Sequence, residues 1–323
     1  MTRATLLATL LCIGCGSPTP RFAHVRRTED PVVLERWTMG TRLRIVAFAR
    51  EEVVAAALDE AGRLDALLST FRLSSALSAL NAAAGRRVAV PPELAQYLRS
   101  AVALAERTGG AFDPTVGPLV AASRSRDPGA IAAARALVGF RNVVFHGISE
   151  IELRLPGMAI DPGGIGKGWA VDAMVSRLRA AGVSAAFIDF GESSFYGMGA
   201  PPGRSGWAVR LRDAHGEPTG PDLILRDRSL STSMSLALAE EPDRPSRPHI
   251  IDPRDGQLVM TPRIAAVVCP SGAEADALST ALVVLGQEGL AVLDRFPAAS
   301  AWIHEEGRPP TARGELPLAP RPR

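Results

Sequence analysis

Residues 41–48 (TRLRIVAF) alternate the basic Arg42 and Arg44 with the apolar Leu43 and Ile45, the period-two signature of a half-buried strand. Apolar positions in 51–68 and 92–108 recur instead at three- and four-residue spacing, which predicts two amphipathic helices, the second stopped by Gly109 and Gly110. Apolar runs at 142–146, 183–190, 207–211 and 263–268 predict further strands, and 168–181 and 272–285 predict further helices. In the first of these helices Val171, Met174, Val175 and Leu178 form one stripe; the second opens on a Ser271–Glu274 capping box and stops at Gly286. Strands and helices alternate without a strict β-α-β rhythm, and no internal repeat is visible. The fold class these patterns predict is α+β, in a single unit.

The ends of the chain depart from this patterning. Met1–Arg3 make a short basic start, Ala4–Ile13 an apolar run of signal-peptide length, and Gly14 a small residue before Cys15. A small residue followed by cysteine is the pattern of a bacterial lipoprotein, with Cys12 standing where leucine is usual; a plain secretory signal is the alternative. The tether-like GSPTP after Cys15 favours lipidation. The expected organisation is a signal peptide at 1–14, a tether at 15–30 carrying the lipidated Cys15, a folded domain at 31–306 and a disordered Pro/Arg-rich tail at 307–323. The expected location is the bacterial cell envelope, lipid-anchored and facing the periplasm. Cleavage before Cys15 leaves Cys269 as the one other cysteine, so no intrachain disulfide can form. No later stretch is long and apolar enough to span a bilayer.

Composition adds one anomaly. With 36 basic and 34 acidic residues in 323, the net charge of +2 is too balanced for a dedicated nucleic-acid binder, and 46% apolar with 22% charged residues suits a packed core. Among the basic residues Lys167 is the sole lysine; every other is arginine. Arginine thus serves every ordinary surface role, and the lysine asks for a geometry that a planar guanidinium cannot fill.

Four segments carry candidate chemistry. Lys167 lies in DPGGIGKGWAVD (161–172), where Gly163, Gly164, Gly166 and Gly168 allow close backbone approach and a helix N-terminus follows, suited to a phosphate. It is neither a Walker A loop nor G-x-G-x-x-G, and a plain glycine turn is the alternative. On the helix from 272, Asp276 and Thr280 lie four apart and present two hard oxygens suited to Mg²⁺. The alternative there is an exposed polar face, on which an Asp→Ala change costs little. GAFDPTVGP (110–118) places Asp113 beside Phe112 in a turn-rich loop, and HIIDPRDG (249–256) offers His249 as a base. His24, His146, His215 and His304 are isolated, and no zinc-ligand spacing occurs.

In this order, with Met39-Gly40-Thr41, Ser69-Thr70-Phe71-Arg72, Leu80-Asn81 and Thr232-Ser233, these segments resemble the ApbE family of FAD:protein FMN transferases over residues 33–303. The resemblance implies a single-domain α+β fold related to the T-fold. It also implies an enzyme that binds FAD and Mg²⁺, transfers FMN to a Thr or Ser hydroxyl of an acceptor flavoprotein through a phosphoester, and releases AMP. By position, Met39, Phe71, Ala111, Phe112, Asp113, Asp161, Lys167 and Ile250 line the FAD site. Gly164, Asp276 and Thr280 hold the metal, and His249 and Lys167 are the catalytic candidates. The chain departs from the family pattern at Ala76, where Glu is common, at Phe71 for Tyr, at Glu192 in place of a second Gly, and at Met234 in place of Gly. Two other activities stay open: a Mg²⁺-dependent FAD pyrophosphatase and a non-catalytic flavin-binding lipoprotein.

Overall fold

The computed structural model describes residues 30–124, 127–213, 217–237 and 247–320. The expected signal peptide and Cys15 lie outside the described residues. In chain order the strands are β1 (Val32–Thr38), β2 (Thr41–Ala47), β3 (Arg87–Ala89), β4 (Val143–His146), β5 (Glu150–Leu153), β6 (Ala186–Phe190), β7 (Ser194–Met198), β8 (Trp207–Arg212), β9 (Pro218–Leu225), β10 (Arg228–Met234), β11 (Leu236–Ala237), β12 (Arg247–Pro248), β13 (Arg263–Cys269), β14 (Ser300–Glu305) and β15 (Thr311–Arg313). The helices are α1 (Glu51–Leu68), α2 (Ala76–Ala82), α3 (Pro92–Arg107), α4 (Gly117–Ser123), α5 (Pro128–Arg135), α6 (Gly166–Ala180) and α7 (Gly272–Leu285).

Eight strands form one antiparallel sheet in the order β1-β2-β6-β7-β10-β13-β14-β15. Its first hairpin turns through Met39 and Gly40, both at positive φ (47° and 73°), the left-handed pair that a two-residue hairpin requires. One face of the sheet is covered by helices. Leu43, Ile45, Ile188, Phe190 and Tyr196 pack with Val54, Leu58 and Leu64 of α1 and with Val171, Met174 and Leu178 of α6. Ala265 and Val267 pack with α7 and α3. The opposite face is closed by the β8–β9 hairpin, whose Val209, Leu211, Leu223 and Leu225 meet Leu230, Ala266, Val268 and Trp302. Covering on both faces explains why 263–268 reads as an unbroken apolar run and not as an alternation.

Helix α7 lies in the middle, against β10, β13, α6 and α3, and is buried almost all round. Asp276 is 3% exposed. The expectation of an exposed, cheaply replaced carboxylate is therefore corrected: packing of α7 against β10, β13, α6 and α3 takes this face of the helix out of bulk water. Helices α6 and α7 cross at glycines, and a Cβ on Gly168 would overlap the Gly272 carbonyl and come within 2.8 Å of the Asp276 Cβ.

The C-terminal segment also differs from expectation. Residues 311–313 pair with β14, Leu316 packs on the cluster beneath the β8–β9 hairpin, and Ile224 N donates to Pro317 O (2.7 Å) while Ala319 N donates to Asp222 O (2.8 Å). Its prolines suppressed the sequence signal, yet Pro317 needs only its carbonyl to join the β9 edge. Gly168→Ala is expected to lower the melting temperature by roughly 5 °C, since forcing a methyl into a closed backbone contact costs ~1–3 kcal/mol. Thermal unfolding of the variant checks it.

Candidate functional site

Two cavities of about 430 and 260 Å³ open side by side, and Asp161, Gly163 and Lys167 line both. Ala111, Phe112, Asp113, Gly164, His249, Ile250, Asp276 and Thr280 line the larger; Met39 and Phe71 line the smaller. The structure thus brings together every site residue expected from the sequence that falls within the described residues. Cys15 lies outside them.

The wall between the cavities is the turn that leads into α6. Asn81 grips its start from both sides: its Nδ2 donates to Ile160 O (2.9 Å) and its Oδ1 accepts from Ile160 N (2.8 Å). The next residue, Asp161, donates its N–H to Pro114 O (2.8 Å), tying this turn to the Ala111–Asp113 loop, and accepts from Gly163 N (2.8 Å) at Oδ1. A Cβ on Gly164 would stand 3.2 Å from the Phe112 ring and 3.3 Å from Thr280 Oγ1, so this backbone lies directly against Thr280 of α7. Lys167 is the second residue of α6 and projects from its positive end into the partition.

Asp113 has a narrower part than expected. Its Oδ1 accepts from Thr115 N (2.8 Å) and Oγ1 (2.6 Å), and its Oδ2 from Phe140 N (2.9 Å), so the carboxylate shapes the wall by tying its own loop to the turn at Phe140. Phe71 is 86% exposed at the lip of the smaller cavity.

Helices α6 and α7 cap each other. On α6, Asp172 accepts from Gly272 N (2.6 Å), Ala273 N (3.0 Å) and Ser271 Oγ (2.8 Å), the open N-terminus of α7. On α7, Asp276 Oδ2 accepts from Gly168 N (3.0 Å) in the first turn of α6, whose own N-cap residue, Ile165, has no side-chain cap to give. Asp276 Oδ1 accepts from Ser231 Oγ (3.0 Å). Each carboxylate oxygen has two lone-pair sites, so Asp276 keeps acceptor capacity beyond these two bonds. Beside it, Ser233 Oγ lies 2.8 Å from Ser279 Oγ and 3.4 Å from Thr280 Oγ1. The donor set is one carboxylate, hydroxyls and the glycine-loop backbone. It fits a hard cation that draws its remaining ligands from water and substrate oxygens. No cluster of three or more His, Cys, Asp or Glu exists among the described residues, so a thiolate or imidazole site is not offered in its place.

Burial raises the carboxyls of Asp113, Asp161 and Asp172 above their ordinary value, and for Asp172 the charge of Asp276 adds to it. Of the positions that depart from the family pattern, Met234 lines the larger cavity and Ala76 opens α2. Glu192 sits at φ 54°, a left-handed conformation that costs a non-glycine residue ~1 kcal/mol, and its carboxylate is held by Arg42 at 3.0 Å. Asp172, Asn81 and Ser231 were given no role in the sequence reading. Asn81 and Asp172 stood inside quoted motifs, and Ser229, Ser231 and Ser233 recur with period two on β10, the signal of a hydroxyl-lined strand face.

The sequence model of the ApbE family matches residues 39–303. The chain belongs to the ApbE family. Its relatives include the FAD:protein FMN transferase of Treponema pallidum, 34% identical over 327 residues that cover 91% of this chain and 89% of that one. Another, named likewise, is from Klebsiella pneumoniae, 30% identical with 88% and 87% covered. Among solved structures, the ApbE protein of Thermotoga maritima superposes with a TM-score of 0.78 at 26% identity, covering 87% of this chain and 96% of that one. The flavinyl transferase ApbE of Pseudomonas stutzeri gives 0.75 at 26%, with 88% and 95% covered. The α+β ApbE fold is thereby established for this chain.

In this ApbE member, Asp161 binds its proton more tightly folded than unfolded. The stability from that linkage is fully present below the unfolded value near 3.8 and is lost as the pH rises through the raised folded value. Asp161→Asn keeps an acceptor for Gly163 N and removes the buried charge. The ligand-free variant is expected to melt roughly 1–3 °C above the parent at pH 7, with the gain vanishing below about pH 4. Thermal melts across that range check it.

Proposed function

We propose that this protein transfers the FMN half of FAD to a Thr or Ser hydroxyl of an acceptor flavoprotein, with Mg²⁺, releasing AMP. The observation that carries the reading is the two-lobed cavity whose partition is made by Asp161, Gly163 and Lys167, with Asp276 and Thr280 on one flank. A dinucleotide needs such a shape: two lobes for its two halves, and cationic and amide donors where the pyrophosphate crosses between them. The names of the Treponema pallidum and Klebsiella pneumoniae relatives support the same activity.

The chemistry asks mainly for alignment and charge stabilisation. The acceptor hydroxyl oxygen attacks the phosphorus of the FMN half, the bond from that phosphorus to the AMP oxygen breaks, and AMP carries the electron pair away. His249, on the wall of the larger cavity, is placed to take the hydroxyl proton. Lys167, at the positive end of α6, holds the pyrophosphate oxygens. Asp276, Thr280 and the Gly164 backbone would hold Mg²⁺, which supplies neutralisation of the pyrophosphate charge. The main-chain grip of Asn81 and Pro114 on residues 160–161 keeps the partition in place.

Incubating the pure protein with FAD and Mg²⁺, with and without an acceptor flavoprotein, tests the proposal. Covalent flavin on the acceptor and free AMP are expected. Free FMN and AMP with no labelled acceptor would make it a pyrophosphatase, and intact FAD would make it a flavin-binding protein without catalysis. The lipid-anchored, periplasm-facing location rests on the Cys15 pattern. Cys15→Ser is expected to move the expressed protein out of the membrane fraction, and unchanged fractionation would contradict the anchor. Lys167→Arg is expected to weaken FAD binding or turnover at least tenfold, with the ligand-free melting temperature within a few degrees, because a wide planar guanidinium does not fit a partition shared by two cavities. Parental affinity and rate in the Arg variant would make the lone lysine incidental.

A further inference from the structure

The Tyr97 side chain on α3 is wholly buried, and its hydroxyl has no hydrogen-bond partner among the described residues. Phenylalanine would fill the same space and leave no polar atom unpaired, so the oxygen asks for a reason. The ring stands edge-on to Trp169 of α6, centroids 5.5 Å apart and planes at 85°. Trp169 follows Gly168, whose N–H holds Asp276. Tyr97 shares its core with Phe112, Ile160, Ile165 and Ala277, which flank the Asp113 loop, Asp161, the start of α6 and Asp276.

The hydroxyl lies in the core behind the site, outside the lining of both cavities and within electrostatic reach of the Asp161 and Asp276 carboxylates. Burial first, and then the charges of Asp161 and Asp276, push its ionisation well up. It stays a neutral O–H, and toward a carboxylate it can only donate. Asp276 already accepts at both oxygens, and the lone pairs it keeps are the ones the proposed function assigns to the metal. Asp161 accepts from Gly163 N at Oδ1, and its Oδ2 has no donor among the described residues. An unpaired buried donor thus lies near a half-buried carboxylate that has an oxygen to spare.

We propose that Tyr97 is a positioning residue for Asp161: in the ligand-loaded site its hydroxyl donates, directly or through one buried water, to the Asp161 carboxylate, and so holds the turn of residues 161–164 in the form that takes the FAD pyrophosphate. This rests on the flavin-nucleotide reading of the site. A donor from below keeps Asp161 ordered when substrate phosphates arrive above it, at a point where burial alone favours losing its charge.

The test is Tyr97→Phe in the full chain, read by thermal unfolding of the ligand-free protein and by calorimetric titration of FAD in the presence of Mg²⁺. The ligand-free melting temperature is expected to hold or rise, because an unpaired buried oxygen has been removed, while FAD affinity falls about tenfold, the scale of one hydrogen bond to a charged group. A spare hydroxyl that serves packing alone moves the two readouts differently: parental FAD affinity at any melting temperature overturns the proposal. If both fall, Tyr97→Leu decides, since affinity that tracks melting temperature across the two variants assigns the effect to packing and also overturns it. A parental protein that fails to bind FAD would instead overturn the reading of the site, so the two failures are distinguishable.

Discussion

Where α6 and α7 cross, each helix offers a carboxylate to the N-terminal amides of the other, supplying the cap that α6 lacks and adding to the one that Ser271 gives α7. Asp172 accepts three donors from the N-terminus of α7, and Asp276 returns one acceptor to the first turn of α6. Contacts of this kind contribute ~1 kcal/mol each when exposed, and removing one partner of a buried set costs more because donors are left unpaired. The crossing is close enough only because Gly168 and Gly272 face each other without side chains. A buried carboxylate in this position is expensive to hold, and its expense is offset by the amides it terminates. The fold and the site therefore share one set of atoms.

That sharing explains the location of the cavities. With α7 enclosed between α6, α3 and the sheet, Asp276 and Thr280 can face only toward the glycine turn and the hydroxyls of β10. The same crossing sends the start of α6, with Lys167, into the space between the lobes. Asn81 and Pro114 then hold the turn through main-chain bonds, leaving its glycines open to a ligand. The site is built from a rigid helix pair and one restrained turn, the arrangement that keeps charged groups aligned without reorganisation.

Much of this was legible in the chain. The helices at 51–68 and 272–285 carry their own period, the second also its cap and stop, and the structure returns the same spans. The glycine turn and the Asp276–Thr280 pair declared themselves by residue type and spacing, and Lys167 by being alone. Strands β7, β10 and β14 were not read, because serines and mixed residues at buried positions mask the alternation; Ser194, Ser229 and Ser231 are buried. The burial of Asp276 was read wrongly for a related reason. Sequence spacing shows which residues share a helix face, while tertiary packing decides how far that face meets water, and on α7 packing leaves Asp276 only 3% exposed, at the wall of the larger cavity. The reciprocal capping was invisible for the same cause, since Asp172 and Gly272 are a hundred residues apart.

Under the proposed function Asp276 would cap α6 and hold the metal at the same time, using different lone pairs of one carboxylate. A crystal structure of the protein with FAD and Mn²⁺ standing in for Mg²⁺, read in the anomalous difference map, tests it most directly. The account predicts a single strong metal peak within coordinating distance of Asp276, Thr280 and the Gly164 carbonyl, with the Gly168 N–H still bonded to Asp276. A peak elsewhere, or an Asp276 that must release Gly168 to reach the metal, would contradict it.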